Sequence, residues 1–69
     1  MTPIASAKLC ALYLARTLGL TCSYDVSVMG GCDIHLAARA IAALERYHYL
    51  RRDHPLPPPS RAWTWAPTT

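Results

Sequence analysis

Apolar residues recur at helical spacing near the start of the chain and predict an α-helix over residues 3–18. Thr2 is a suitable N-cap, and Pro3 falls at the first helical position, where a missing N–H costs nothing. Gly19 is the expected residue just past the helix end. The residues on one broad apolar face are Ile4, Ala7, Cys10, Ala11, Leu14, Ala15 and Leu18.

The same predicted helix carries a second apolar patch, formed by Leu9, Leu12 and Tyr13, largely opposite the broad face. A helix that is apolar on two sides is either buried all round or shared with a partner. A chain of 69 residues has little core in which to bury a whole helix. We therefore expect this patch to be a partner interface, for example the contact of a homodimer formed through the first helix.

Residues 20–31 carry two competing patterns. Tyr24, Val26 and Val28 alternate with polar residues, as they would in a half-buried strand. The alternative is a short helix that starts near Ser23 and ends at a Gly-Gly pair. The segment is therefore a strand or a short helix, and its β-branched residues favour the strand.

A second strong helix is predicted over residues 34–49, with Asp33 as its N-cap. Its inner face is apolar and comprises Leu36, Ala37, Ala40, Ile41, Leu44, Tyr47 and His48. Its outer face comprises His35, Arg39, Ala42, Arg46 and Tyr49. This pattern is typical of a helix that buries one side and exposes the other.

Residues 50–66 predict a β-hairpin with a stiff loop. Residues 50–52 form the first arm, and the proline-rich segment 54–60 suits neither a helix nor a central strand. Residues 61–66 alternate and place Trp63 and Trp65 on one face, which we expect to pack on the helices. Residues 67–69 are expected to be a fraying tail. Two main helices and a C-terminal hairpin predict one α+β domain over residues 1–69.

Composition adds a mild basic excess, with a net charge of +3 and an apolar fraction of 52%. The excess is compatible with nucleic-acid binding. It is equally expected of a globular domain encoded in a GC-rich genome, in which Arg and Ala are common. The cysteine count of 3 is odd, and no CxxC pair occurs, which favours a reducing, cytoplasmic location. We see no signal peptide and no stretch long enough to span a membrane.

The segment LAARAIAALERYHYLRR, residues 36–52, resembles the third helix and first wing strand of winged helix-turn-helix proteins. In that comparison, residues 26–33 take the place of the second helix and its tight turn. Residues 61–65 take the place of the returning wing strand. The chain departs from the family pattern at residues 47–49, Tyr-His-Tyr, where members usually have a glycine. The resemblance covers about residues 20–66 and implies a small winged-helix-like fold.

The resemblance also implies a dimeric transcriptional regulator that binds duplex DNA with the helix and the wing. Arg39 would be best placed for a guanine edge or a nearby phosphate. The wing and the helix end would contact phosphates, which adds salt-dependent affinity. The implied nucleic-acid-binding residues are His35, Arg39, Arg46, Arg51, Arg52 and Arg61.

Other site chemistry finds little support in the sequence. Cys32 and His35 have the spacing of a zinc-binding pair, but no second pair with clear spacing accompanies them. No motif places a nucleophile beside an oriented base, and Gly30-Gly31 alone is a turn signal rather than a phosphate loop. We therefore expect neither enzymatic activity nor a metal or other cofactor.

A second hypothesis of a different class is a protein–protein inhibitor encoded by a phage or another mobile element, such as an anti-CRISPR protein. The small size, the absence of a catalytic set and the apolar patch on the first helix motivate it. Such a protein would bind a host effector complex. The basic charge of the chain counts against simple mimicry of DNA.

Overall fold

The structure is a computed structural model that describes residues 1–68. Within them the elements run in the order α1 (Pro3–Leu18), α2 (Ser23–Gly30), α3 (Ile34–Arg46), β1 (Leu50–Pro55) and β2 (Trp63–Pro67). The two strands pair with each other in an antiparallel sheet. The chain is therefore α+β, with helices first and a C-terminal hairpin, as the sequence predicts.

Helix α1 has the predicted bounds and caps. The Thr2 hydroxyl oxygen accepts a hydrogen bond from the Ala5 amide at 3.2 Å. The helix ends at Gly19, whose φ of 83° lies in the left-handed region that favours glycine. Small residues dominate its buried face, which allows α2 and α3 to approach closely. Leu18 was expected on that face but is exposed, because the last turn extends past the core.

The segment 20–31 forms helix α2, so the preference for a strand was wrong. Val26 is fully buried in the common core of the helices, and this tertiary packing outweighs the β-propensity of the segment. Gly31 ends the helix with a φ of 61°. Only Thr21, which precedes the helix, is strand-like: it forms an isolated antiparallel bridge with Trp65.

Helix α3 begins as predicted, since the Asp33 carboxylate accepts a hydrogen bond from the His35 amide at 2.7 Å. It ends at Arg46, three residues earlier than expected. Tyr47 and His48 were assigned to the buried face of the helix, but both are exposed in the turn that follows it. His48 has a φ of 65°, and this left-handed residue redirects the chain into β1.

The hairpin is longer in its first arm than predicted. Strand β1 continues to Pro55, which pairs with Trp63 after an irregularity in register that follows Arg52. Proline is tolerated there because it lies at the end of a strand in a two-stranded sheet, where one lost amide donor matters little. Arg61, which was assigned to the second arm, lies in the loop before β2.

The predicted tail is partly ordered by hydrogen bonds. Pro67 pairs with Leu50, and the Thr68 hydroxyl donates to the His48 carbonyl oxygen at 2.6 Å. The Thr68 amide also donates to the Tyr49 carbonyl oxygen at 3.2 Å. The prediction of fraying was therefore wrong for residues 67–68, and Thr69 lies outside the described residues.

The core joins the three helices to the hairpin. Val26, Ile41 and Leu50 are its largest fully buried side chains, and Trp65 is buried beside them. The Thr21–Trp65 bridge adds two backbone hydrogen bonds, of 2.9 and 2.7 Å, between the α1–α2 connection and β2. These contacts fix the hairpin against the helices, which determines how its side chains lie relative to α3.

Candidate nucleic-acid interface

Helices α2 and α3 are joined by the three-residue turn 31–33, and the chain bends by 118° between them. The Ser27 hydroxyl donates to the Cys32 carbonyl oxygen at 2.6 Å and ties the end of α2 to the turn. Two helices at roughly 90–120°, joined by a short turn that contains glycine, have the geometry of a helix-turn-helix unit. This unit presents α3 to solvent along one side.

The solvent-facing stripe of α3 carries His35, Arg39, Ala42 and Arg46, as the sequence predicts. The opposite side is buried through Ala37, Ala40, Ile41 and Leu44. Within residues 1–68, neither Arg39 nor Arg46 forms an ion pair with a carboxylate. At 1.5 Å rise per residue the two lie about 10 Å apart along the axis, so each can contact a different anionic group.

Lys8 is a cation near this stripe that the sequence did not associate with it. A groove of ≈ 570 Å³ lies between the first turns of α1 and the exposed side of α3. Ile4, Leu36 and Ala43 contribute apolar lining, and Lys8 lines the groove together with Arg39 and Arg46. No sequence signal could have shown this, because it depends on how α1 crosses α3.

Arg52, expected to contact DNA from the wing, is held by aromatic rings. Its guanidinium carbon lies 5.3 Å from the ring centroid of Trp63 and 5.5 Å from that of Trp65. Its Nε lies 3.7 Å from a carboxylate oxygen of Glu45 on α3. These contacts make Arg52 a link between the hairpin and the helix, while its side chain stays 55% exposed.

Arg51 and Arg61, the other predicted wing residues, are both exposed. Arg51 lies on the other side of β1 from Arg52, since neighbouring residues of a strand point to opposite faces. Its guanidinium is 3.3 Å from the carboxylate of Asp53, which is also 3.6 Å from His54. Among the residues that the structure describes, those predicted to bind nucleic acid thus divide into a group on α3 without ion pairs and a group on the hairpin in which Arg51 and Arg52 have partners.

The proposed partner interface on α1 is also divided. Leu9 and Tyr13 are 54% and 67% exposed, and they lie one helical turn apart. Leu12, which was assigned to the same patch, is instead partly buried against the core. The exposed part of this patch is therefore limited to Leu9 and Tyr13.

The sulfur atoms of Cys10 and Cys32 both lie close to Gly30, at the end of α2. The Cys32 thiol donates to the Val26 carbonyl oxygen at 3.8 Å. Burial, and to a smaller degree the neighbouring Cys32, raises the pKa of the Cys10 thiol. Across residues 1–68, no three His, Cys, Asp or Glu side chains converge closely enough to hold a metal ion.

Comparison with protein-family models, with curated proteins and with solved structures found no significant match. None of the three helices in the described chain is by itself long and apolar enough to cross a membrane. Helices α2 and α3 pass that test only as a pair, and the pair is sharply bent.

Proposed function

We propose that the chain is a small winged-helix-like DNA-binding protein that acts as a transcriptional regulator and contacts duplex DNA chiefly through α3. One observation carries the proposal: α3 follows a helix-turn-helix bend and exposes Arg39 and Arg46 without a carboxylate partner in the described chain. A helix of this kind can enter the major groove, where arginine recognises guanine edges and phosphates.

The order of the elements supports the same proposal. Thr21 lies between α1 and α2 and pairs with Trp65 in β2, which joins the helices to the hairpin as one unit. His48 adopts the left-handed conformation at the junction where the family usually has a glycine. At this junction the chain thus differs from the family in residue type, while its backbone conformation is one that glycine favours.

The wing has a narrower role in this proposal than the sequence implied. Arg51 and Arg61 remain exposed and suited to phosphate contacts, which position a protein on DNA without reading its sequence. Arg52 contributes mainly by orienting the hairpin against α3. Small Ala42, between Arg39 and Arg46, leaves room for close approach to the groove.

Fluorescence anisotropy with a labelled pool of random duplexes tests the proposal. We expect binding at low salt that weakens steeply between about 50 and 200 mM salt, since each phosphate contact releases counterions. Arg39→Ala should weaken binding by roughly tenfold or more, because one arginine contact is worth about 1–3 kcal/mol. Its thermal unfolding midpoint should stay unchanged, because Arg39 is exposed.

Arg16→Ala is the matched control, because it removes the same charge from an exposed position on α1. We expect its affinity for DNA to stay within about twofold of the parent. The proposal fails if no duplex binds at low salt. It also fails if Arg16→Ala and Arg39→Ala weaken binding equally, since net charge alone would then explain the affinity.

A second candidate function is the protein–protein inhibitor of a host effector complex, such as an anti-CRISPR protein. The exposed Leu9 and Tyr13 favour a protein contact, because two neighbouring large apolar side chains face solvent. The same pair would serve a homodimer of the DNA-binding form. Leu9→Ser/Tyr13→Ser distinguishes the two: sedimentation velocity reports loss of a dimer, whereas an inhibitor would remain monomeric throughout.

A further inference from the structure

We propose that the groove between α1 and α3 is a binding site for a small organic anion with an apolar body. Two features of the groove point to this ligand class. Its lining combines apolar side chains, including Ile4, Leu36 and Ala43, with three cations, Lys8, Arg39 and Arg46. Its volume of ≈ 570 Å³ lies within the range of roughly 300–1,000 Å³ that is usual for small-molecule sites.

The charges argue for an anion. No carboxylate lines the groove, and none of its three cations is paired with Asp or Glu in residues 1–68. A carboxylate or sulfonate placed among them would gain charge-assisted hydrogen bonds, which are about twice as strong as neutral ones. A symmetric contact with a second copy of the same surface would instead bring like charges together.

The apolar lining argues for a body attached to that anion. Inorganic phosphate or a bare carboxylate would leave Ile4, Leu36 and Ala43 in contact with water. An aromatic or branched aliphatic body covers them, and burial of apolar area contributes roughly 25 cal/mol per Å². The occupant that uses both features is therefore an amphipathic anion such as an aromatic carboxylate.

Such a ligand would cover two of the residues assigned to DNA. Arg39 and Arg46 line the groove and also form the exposed stripe of α3. An occupied groove would therefore compete with duplex DNA, so the anion would release the regulator from its DNA. This last step rests on the proposed function, whereas binding of the anion does not.

NMR titration of the full chain with 2-naphthoate tests the site. We expect saturable shifts of backbone amides confined to the first turns of α1 and to α3. The neutral 2-naphthamide, which lacks the charge, and acetate, which lacks the body, should each bind at least about tenfold more weakly. Equal binding of naphthoate and naphthamide, or shifts scattered over the whole chain, would overturn the inference.

Two variants and one control locate the ligand. Lys8→Ala and Ile4→Ala should each weaken 2-naphthoate binding by about fivefold or more, through lost charge and lost apolar contact respectively. Arg16→Ala should leave it unchanged, because Arg16 does not line the groove. If Ile4→Ala unfolds the chain, Lys8→Ala alone decides. Equal effects of Lys8→Ala and Arg16→Ala would contradict a specific site.

Competition separates the inference from the proposed function. Saturating 2-naphthoate should raise the apparent Kd for duplex DNA at least about threefold, whereas naphthamide should not. If naphthoate binds the groove but no duplex binds the chain, the proposed function fails and the anion site stands. If duplex DNA shifts the groove amides and naphthoate does not, the groove belongs to the DNA surface and the inference is wrong.

Discussion

The arginines of α3 and those of β1 were assigned the same role, yet they lie in different environments. Arg39 and Arg46 project from the exposed stripe of a helix and have no carboxylate partner among the described residues. Arg51 and Arg52 are consecutive, and each has a partner: Asp53 for Arg51, and two indole rings with Glu45 for Arg52. The arginines of the helix have no carboxylate partner within residues 1–68, whereas those of the strand have partners while their side chains stay more than half exposed.

The difference follows from the periodicity of the two elements. Residues seven apart on a helix return to one face, so Arg39 and Arg46 act on a common surface. Consecutive residues on a strand point to opposite faces, so Arg51 and Arg52 cannot share one. The face that receives Arg52 also receives its cross-strand neighbour Trp65. Cross-strand pairing thus places Arg52 beside Trp65, and its phosphate contact stays a prediction.

Removing the indole rings beside Arg52 should have the largest effect on stability. We expect Trp65→Ala to lower the free energy of unfolding by about 3–5 kcal/mol, because Trp65 is buried and packs in the core. Urea denaturation measures this loss. Trp63→Ala is the control and should cost clearly less, because Trp63 is only partly buried. Equal losses would show that Trp65 anchors the hairpin no more strongly than Trp63 does.

Replacing each of the two strand arginines with alanine compares them directly. Arg52→Ala should lower the free energy of unfolding by about 1 kcal/mol, since a partly exposed guanidinium over aromatic rings contributes on that order. Arg51→Ala should stay within about 0.5 kcal/mol, because its ion pair with Asp53 lies at the surface. Thermal unfolding of both variants measures the difference. A larger loss for Arg51→Ala would reverse our assignment of the two roles.

The junction between α3 and β1 can be relaxed by one substitution. His48 holds a left-handed φ, which costs a residue with a side chain roughly 1 kcal/mol. We expect His48→Gly to raise the free energy of unfolding by a net amount of about 0.5–1 kcal/mol, after subtraction of the conformational entropy that glycine loses on folding. His48→Ala keeps the unfavourable conformation and should give no gain. Chemical denaturation that shows equal gains for both would refute a backbone origin.

The smallest effect is expected where the helices meet the sheet. Thr21 is 2% exposed, and its hydroxyl has no hydrogen-bond partner within residues 1–68. Thr21→Val keeps the shape, removes the unsatisfied group and should raise the free energy of unfolding by about 0.5 kcal/mol. Thr21→Ala, which leaves a small cavity, should not stabilise the protein. Thermal scans on both variants check the sign, and destabilisation by Val would indicate a partner for the hydroxyl.

The sequence predicted the elements whose local signals agree with their packing. Helix α1, the start of α3 and the hairpin follow from caps, periodicity and prolines, and Thr2, Asp33 and Gly19 act as expected. At residues 20–31 local propensity favours a strand over the alternative of a short helix, because it does not show that Val26 packs in the core of the helices. The bend between α2 and α3 is what leaves one side of α3 exposed.

The site was predictable only within single elements. The stripe of His35, Arg39 and Arg46 follows from helical spacing, and the structure places these residues together on one face. Lys8 and Arg52 depend on contacts between elements: the crossing of α1 over α3 and the register of β1 with β2. Such contacts have no local pattern in the sequence, so charge alone could not reveal the partners of Arg52 or the position of Lys8 beside α3.

The placement of the aromatic rings has a spectroscopic consequence. The chain has 2 tryptophans, and both lie in β2, next to the same guanidinium. Intrinsic tryptophan emission therefore reports on β2 and on the core around Trp65, while the 4 tyrosines lie in α1, α2 and the turn after α3. A positive charge 5.3 and 5.5 Å from the ring centroids changes the electric field that the indoles sense. The emission wavelength thus reports, without a label, whether Arg52 keeps its contact with the two indole rings when a ligand binds.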